Sequence, residues 1–353
     1  MFKKYNFQKL DKKINTDIKN RTILLNLKRL FLSIILIFCF ISIAFITILN
    51  IYLNKINKIN IDKTDIGANE TFSKQEDTHP NNEENSVQET NPNITNIALF
   101  GIDEVEGTAG RSDCIMIFTI DNKHNKLKLS SIIRDSYVAI PTINRKDKIN
   151  HAYAFGGPKL ALQTINANFN LNLDRFITVN FSSLPKIIDD IGGINLNITN
   201  DEFKYINDYI DDLNKKNNTN VSNITSPGIQ LVNGIQALAY CRIRYTEGGD
   251  FERTQRHRNV LNQVLKKSKD IPITQYPKLL DEILPILHTN LDKTEIISLA
   301  LNLNSLKNTT MLQDRFPCDE DGNGKVIDGI YYYVFDGDLT AKRIHNFIFE
   351  DGD

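Results

Sequence analysis

From Leu30 to Leu49 the chain carries no charged residue, and only Ser33, Ser42 and Thr47 are clearly polar. A helix of about twenty residues rises about 30 Å, the thickness of a bilayer's hydrocarbon layer. No second run of this kind occurs in the 353 residues. A multi-span transporter is therefore excluded, and a purely cytosolic enzyme is disfavoured. The whole-chain averages, 42 Lys+Arg against 43 Asp+Glu and 41% hydrophobic residues, conceal this division. The run is longer than a signal-peptide core and no Ala-x-Ala-like site follows it, so it reads as a retained anchor.

Before the run, nine bases stand against two acids, Asp11 and Asp17, and Lys28 and Arg29 abut the apolar stretch. By the positive-inside tendency, residues 1–29 form a cytoplasmic basic tail, residues 30–53 the transmembrane helix, and everything after it lies outside the cell. Taking those nine bases and two acids from the totals leaves 33 bases and 41 acids, a net charge of −8. Such a balance gives no general basic field for nucleic acid, so any anion site has to be local. Residues 54–93, rich in Asn, Glu, Thr, Lys and Gln, read as a flexible extracellular linker. The 260 residues of 94–353 suffice for one large domain with its own core.

In that domain, short apolar runs alternate with helical patterns. Asn96–Gly101, Cys114–Ile120 and Lys126–Ile133 read as strands, the first two apolar on both faces. Lys159–Asn168, after Gly156-Gly157-Pro158, reads as a helix. Phe176–Phe181 and Ile194–Ile198 are further strands. Leu184–Ile191, Asp201–Asn214, Asn233–Tyr240 and Thr254–Lys267 are further helices, followed by others near 279–287, 294–303 and 339–349. Interleaved strands and helices predict a layered α/β/α domain around a central mixed sheet.

Eleven arginines follow the anchor, and seven of them fall in three patches. These are Arg111 with Arg134, Arg242 with Arg244, and Arg253, Arg256 and Arg258. A guanidinium stays charged in a partly buried site and binds phosphate oxygens bidentately, so this use of arginine points to a phosphate cradle. The bland alternative, surface ion pairing, holds best along Arg253–Arg258. Asp103 and Asp113 lie where apolar strands meet loops, the usual place for ligands in α/β sheets. Two carboxylates facing a pyrophosphate repel it unless a bridging Mg²⁺ (or Mn²⁺) intervenes.

Other features carry less. His151 and Asn150 belong to a polar turn entering a helix, and His151 reads as a structural donor. Asp319 to Gly324 mimics the start of a calcium loop, but position twelve is Ile330 rather than Glu, so it reads as a polar hairpin turn. Cys114, Cys241 and Cys318 give no disulfide framework; a Cys114–Cys241 bridge and buried thiols both remain open.

Taken in order, NIALFGID (96–103), RSDCIMI (111–117), SIIRDSYVAIP (131–141), KINHAYAFGG (148–157), VNF…IIDDIGGI (179–194), GIQLVNGIQALAYCRIRY (228–245) and GDFERTQRHR (249–258) resemble the LytR–CpsA–Psr family of membrane-anchored cell-wall glycopolymer ligases. The resemblance implies a deep apolar pocket for a polyprenyl chain. It also implies a phosphotransferase that moves a glycopolymer (teichoic acid, capsule or similar) from a polyprenyl-pyrophosphate carrier to a peptidoglycan hydroxyl. By motif position, Asp103 and Asp113 would hold Mg²⁺, with Asp103 also a candidate to activate the hydroxyl. Asp113 and Arg134 join Asp103 as candidate catalytic residues. Arg111, Arg134, Arg242, Arg244, Arg253 and Arg256 would hold the pyrophosphate, together with His257. Where the family usually has Gln, this chain has His257, which could donate to phosphate with a pH-dependent charge. Two other classes stay open: a pyrophosphatase using water as acceptor, and a non-catalytic lipid-binding or regulatory ectodomain.

Overall fold

The computed structural model describes residues 28, 31–66, 93–103, 110–143, 145–306 and 309–350, which fall into two units divided after Asn54. Apart from Lys28, the basic tail lies outside the described residues, as do residues 67–92 of the expected linker. The first unit contains α1 (Phe31–Leu53), long and apolar enough to cross a membrane.

The second unit begins inside the stretch expected to be linker. β1 (Asn57–Lys58) pairs with a strand of the main sheet, and Ile66 is buried. Ile59 and Ile61 pack against the core, while the Asn166 side chain donates to the Ile66 carbonyl at 3.2 Å. The expectation of a linker is corrected here for residues 55–66 alone. Isoleucines dispersed among polar residues give a poor compositional signal, yet each finds an apolar surface.

β2 (Ile94–Ile102), β3 (Ser112–Asp121) and β4 (Lys126–Ile132) form an antiparallel meander. β5 (Tyr137–Ile140) and β6 (Arg145–Lys148) make a separate hairpin. α2 (His151–Phe169) is kinked where Gly157 takes φ 63°, and Pro158 opens its second half, so the expected helix gains an extra first turn. β7 (Phe176–Asn180) then joins β2 in parallel. A helical lobe follows. It comprises α3 (Leu184–Asp190), β8 (Ile194–Ile198), α4 (Asn200–Asn217), β9 (Gly228–Val232) and α5 (Gly234–Arg242), and β8 and β9 pair antiparallel. α6 (Gly249–Ser268) and α7 (Tyr276–Ile283) lead to β10 (Leu287–Thr289), α8 (Lys293–Ser305) and β11 (Met311–Phe316). The chain closes with the hairpin β12 (Gly322–Ile327) and β13 (Ile330–Phe335), then α9 (Gly337–Phe349). The main sheet is mixed, in the order β1-β10-β7-β2-β3-β4-β11.

Alternation along β2, β3 and β7 sends side chains to two different layers. Phe100, Ile115, Ile117 and Phe176 pack with Leu162, Ile165, Ile344 and Ile348 of α2 and α9. Met116, Phe118 and Ile120 face α6 and α8 instead. The second interface is incompletely filled, and that space becomes the floor of the site.

The run from Asp319 is not the hairpin turn expected of it. Residues 319–321 form a short 3₁₀ turn ahead of β12, and the hairpin reverses at Asp328-Gly329. Asp321 is buried, bonded to Thr340 at 3.0 Å and paired with Arg343 at 2.8 Å.

Candidate functional site

β2 and β3 end together. Their register runs Gly101↔Cys114 and then Ile102↔Ser112, so Asp113 is the extra residue of a β-bulge. Bulges re-aim side chains, and Asp113 lines a polar cavity of about 310 Å³ to which Asp103, just past β2, also contributes. Arg242 and Arg244 reach it from the end of α5, and Arg253 and His257 from the first turns of α6. Arg242 lies 3.7 Å from Asp103, whose carboxylate side chain is 49% exposed.

Asp113 is held from three sides. Arg253 Nη2 donates to its Oδ2 at 3.1 Å, Arg134 Nη1 lies 3.1 Å from Oδ1, and Asn150 Nδ2 donates to Oδ1 at 3.2 Å. Burial alone would raise this carboxyl, but the adjacent Arg253 and Arg134 guanidiniums outweigh it and hold Asp113 far below the usual carboxylate range. Arg134 also pairs with Asp250 at 2.9 Å and Asp135 at 3.5 Å. Burial pushes Asp250 up, against the pull of Arg134 and Arg253. Arg253 is 4% exposed, and its Nε has no hydrogen-bond partner among the described residues.

Phe181, Cys241 and His257 line both this cavity and a second one of about 490 Å³. The second cavity is walled by Leu99, Met116 and Phe118 of the sheet and by Leu261, Leu265 and Leu303 of the helices. A cationic mouth thus opens directly on an apolar chamber. Gly101 sits at the junction, where a Cβ would come within 2.9 Å of Cys114 Cβ and 3.0 Å of the Phe181 ring. Both cysteines are free thiols, and burial pushes each up to about 12. No Cys114–Cys241 bridge is present.

The sequence-predicted residues divide into three groups. Asp103, Asp113, Arg242, Arg244, Arg253 and His257 converge on the mouth. Arg134 stands behind Asp113 rather than on the cavity wall, and Arg111 is exposed at the start of β3, outside the lining. Arg256 requires a correction. It is 1% exposed and turned to Glu202 at 3.3 Å, Glu252 at 3.4 Å and the Ile243 carbonyl at 2.9 Å, so it braces α6 against α4 instead of reaching the mouth. One position on α6 separates it from His257, and about 100° of helix rotation accounts for the difference.

His257 is also corrected. Its ring is buried against Phe181, with centroids 5.5 Å apart, and Nε2 lies 3.1 Å from the Cys241 carbonyl, which only a protonated Nε2 can satisfy. Burial, reinforced by Arg253, lowers it to about 3, so it stays neutral through the physiological range and carries no pH-dependent charge there. His151 Nδ1 lies 3.1 Å from an Asp147 carboxylate oxygen, away from the mouth. Asp250, and Tyr209, Asp212 and Lys216 of α4, belong to the site but escaped sequence reasoning. The three α4 residues share one helical stripe, a signal masked by the apolar stripe beside it.

Among the described residues no group of three or more His, Cys, Asp or Glu could enclose a metal. Asp103 and Asp113 nevertheless line one wall, and Asp103 offers open carboxylate oxygens. That donor set fits Mg²⁺, which keeps waters and completes its octahedron with phosphate oxygens around one or two carboxylates.

The LytR_cpsA_psr family model matches residues 58–346. The polyisoprenyl-teichoic acid–peptidoglycan teichoic acid transferase TagU of Bacillus cereus is 35% identical over 272 residues, covering 74% of this chain and 82% of that protein. TagU of Oceanobacillus iheyensis is 32% identical over 261 residues, covering 71% and 74%. Among solved structures, protein gbs0355 of Streptococcus agalactiae has a TM-score of 0.60 at 26% identity, covering 74% of this chain and 89% of that one. YwtF (TagT), described with bound octaprenyl pyrophosphate lipid, has a TM-score of 0.54 at 23% identity, covering 73% and 91%, and the likeness is one of fold.

Proposed function

The chain belongs to the LytR–CpsA–Psr family, and from that premise we propose that it is a membrane-anchored phosphotransferase. It moves a glycopolymer, a teichoic acid or a related phosphate-linked polysaccharide, from a polyprenyl-pyrophosphate carrier to a peptidoglycan hydroxyl. One observation carries this reading: a mouth lined by Arg242, Arg244 and Arg253 shares Phe181, Cys241 and His257 with an apolar chamber. A lipid pyrophosphate is amphipathic in the same sense. The relatives named as teichoic acid transferases support the same chemistry.

In this reading the isoprene units nearest the headgroup occupy the chamber, and burial of their apolar surface supplies most of the affinity. The guanidiniums of Arg242, Arg244 and Arg253 hold the pyrophosphate oxygens. Phosphoryl transfer asks mainly for positioning and charge stabilisation. The acceptor oxygen bonds to the phosphorus that bears the sugar, and the bond from that phosphorus to the carrier phosphate breaks. Polyprenyl phosphate leaves with the electron pair. Asp103, half exposed at the mouth, takes the hydroxyl proton. Asp113 does not suit that role, because Arg253 and Arg134 hold it far below the usual carboxylate range and so make it a weak base. Mg²⁺ held by Asp103 and Asp113 would neutralise charge on the phosphate oxygens. The anchor α1, with its basic flank cytoplasmic, keeps the domain on the outer face where peptidoglycan lies.

Asp103→Asn tests the assignment in cells. The carboxylate is half exposed and pairs only at 3.7 Å with Arg242, so the variant should fold and melt as the parent does while polymer attachment to the wall falls by about a hundredfold or more. Full attachment by a normally folded variant removes Asp103 from the mechanism.

A further inference from the structure

α6 uses two faces. Arg253 and His257 look into the mouth, while Gln255, Asn259, Asn262 and Gln263 line a separate groove of about 410 Å³. Those four fall at i, i+4, i+7 and i+8, one stripe of a helix. Asn195 and Asn197 of β8 complete the wall, so six amide side chains surround one space. Gln255 Nε2 donates to Asn259 Oδ1 at 2.9 Å, and Asn259 Nδ2 donates to the Tyr240 hydroxyl at 3.2 Å, a relay that fixes both amides. Asn195, Asn197, Asn262 and Gln263 make no side-chain hydrogen bond among the described residues. Arg256 and Glu202, both buried, line the groove, and Arg256 Nε is buried with no hydrogen-bond partner among the described residues.

Charge and neighbouring surface narrow the ligand. Asp201, Glu202 and Glu252 outnumber Arg256 in the lining, so the groove disfavours polyanions, the reverse of the mouth. On the β8–β9 ribbon, Asn195 pairs with Leu231 and Asn197 with Ile229, which sets amides and aliphatics side by side on the outward face. Ile229 is 78% exposed and Leu231 64%. Sugar rings present hydroxyls at their edges and C–H groups on their faces. Amides with open donors and acceptors, next to exposed aliphatic carbon, complement both.

We propose that this groove binds a neutral polyhydroxylated glycan chain, distinct from the lipid-pyrophosphate site and linked to it through α6. Resting on the transferase reading above, the occupant is a glycan strand of the acceptor, held while its hydroxyl reaches the mouth. Sugars of the donor polymer present the same hydroxyls, although the phosphates between them oppose the acidic lining.

The test uses the full chain in detergent micelles with three probes: soluble uncrosslinked peptidoglycan strands, glycopolymer released from its lipid, and a short polyprenyl pyrophosphate. The double variant Asn195→Ala/Asn197→Ala changes only exposed side chains, and Asn262→Leu blocks the groove from the helix side. Both should weaken binding of one glycan probe by about tenfold, as expected for two lost hydrogen bonds. Lipid affinity and melting temperature should stay unchanged. Loss confined to the peptidoglycan arm identifies the acceptor, and loss confined to the polymer arm identifies the donor; either supports a glycan groove. Equal glycan binding by parent and variants, or no glycan binding by a chain that still takes the lipid, overturns the groove and leaves the transferase reading standing. A parent that fails to bind polyprenyl pyrophosphate counts against the transferase reading instead.

Discussion

Arg253 and Asp113 are 140 residues apart in sequence, yet Nη2 of the arginine donates to Oδ2 of the aspartate at 3.1 Å inside the protein. This pair ties the second turn of α6 to the bulge at the start of β3. It holds the carboxylate ionised and brings one guanidinium to the boundary between the polar mouth and the apolar chamber. Fold stability and headgroup binding therefore share a residue.

Replacing Arg253 with Met should expose that sharing. The change leaves buried Asp113 with only Arg134 and the neutral Asn150 amide, and removes a cation from the mouth. Breaking a buried pair costs about 3 kcal/mol or more, so the melting temperature should fall together with lipid-pyrophosphate affinity. Arg256→Met, by contrast, should lower the melting temperature by a similar amount through its lost Glu202 contact, with lipid affinity kept in the folded fraction. Thermal melts paired with titrations of the lipid check both. Loss of lipid affinity in folded Arg256→Met would return that residue to the mouth.

The neutral state of His257 has a stability signature. Its folded value is about 3, against 6.5 when free. As pH drops below 6.5 the unfolded chain takes up a proton that the buried ring refuses. The contribution of His257 is therefore fully present above pH 6.5 and is lost as pH falls toward 3, by about 1.4 kcal/mol per pH unit. Asp113, depressed below its usual 3.8, loses its contribution only at more acidic pH. His257→Gln should flatten the dependence of melting temperature on pH between 6.5 and 4.5, and the activity–pH profile near neutrality should not change. A parallel decline in both proteins would contradict a buried neutral ring.

Gly101 gives the neck its width. Alanine there would put Cβ at 2.9 Å from Cys114 Cβ, a backbone-proximal atom unable to move far, and at 3.0 Å from Phe181. Gly101→Ala should weaken a polyprenyl pyrophosphate by about tenfold or more while leaving inorganic pyrophosphate binding within twofold, since only the tail crosses the neck. Isothermal titration with the two ligands separates these effects. Equal weakening of both would mean that the glycine serves the mouth instead.

Much of this site could be read from the chain itself. Asp103 and Asp113 announced themselves as carboxylates at the ends of doubly apolar strands, and Arg242, Arg244 and Arg253 as guanidiniums near element ends. The chamber could not be read in this way. Met116 and Phe118 face an unfilled space, Ile115 and Ile117 a packed core, and all four are equally apolar. The place of Arg256 depends on how α6 docks, since one residue of helical rotation decides which side it faces, and local sequence does not state that. Asp250 escaped because its role comes from Arg134, far away in the chain. Residues 55–66 read as linker because composition averages over a few isoleucines, whereas pairing of Asn57 with His288 depends on a distant strand.

The central claim is transfer, and its products test it most directly. The full chain, reconstituted in vesicles with a polyprenyl-pyrophosphate glycan, Mg²⁺ and peptidoglycan strands, should yield polyprenyl phosphate and a glycan–peptidoglycan phosphodiester in equal amounts by mass spectrometry. Polyprenyl phosphate accompanied only by free sugar phosphate, with no adduct, would contradict transfer and identify water as the acceptor.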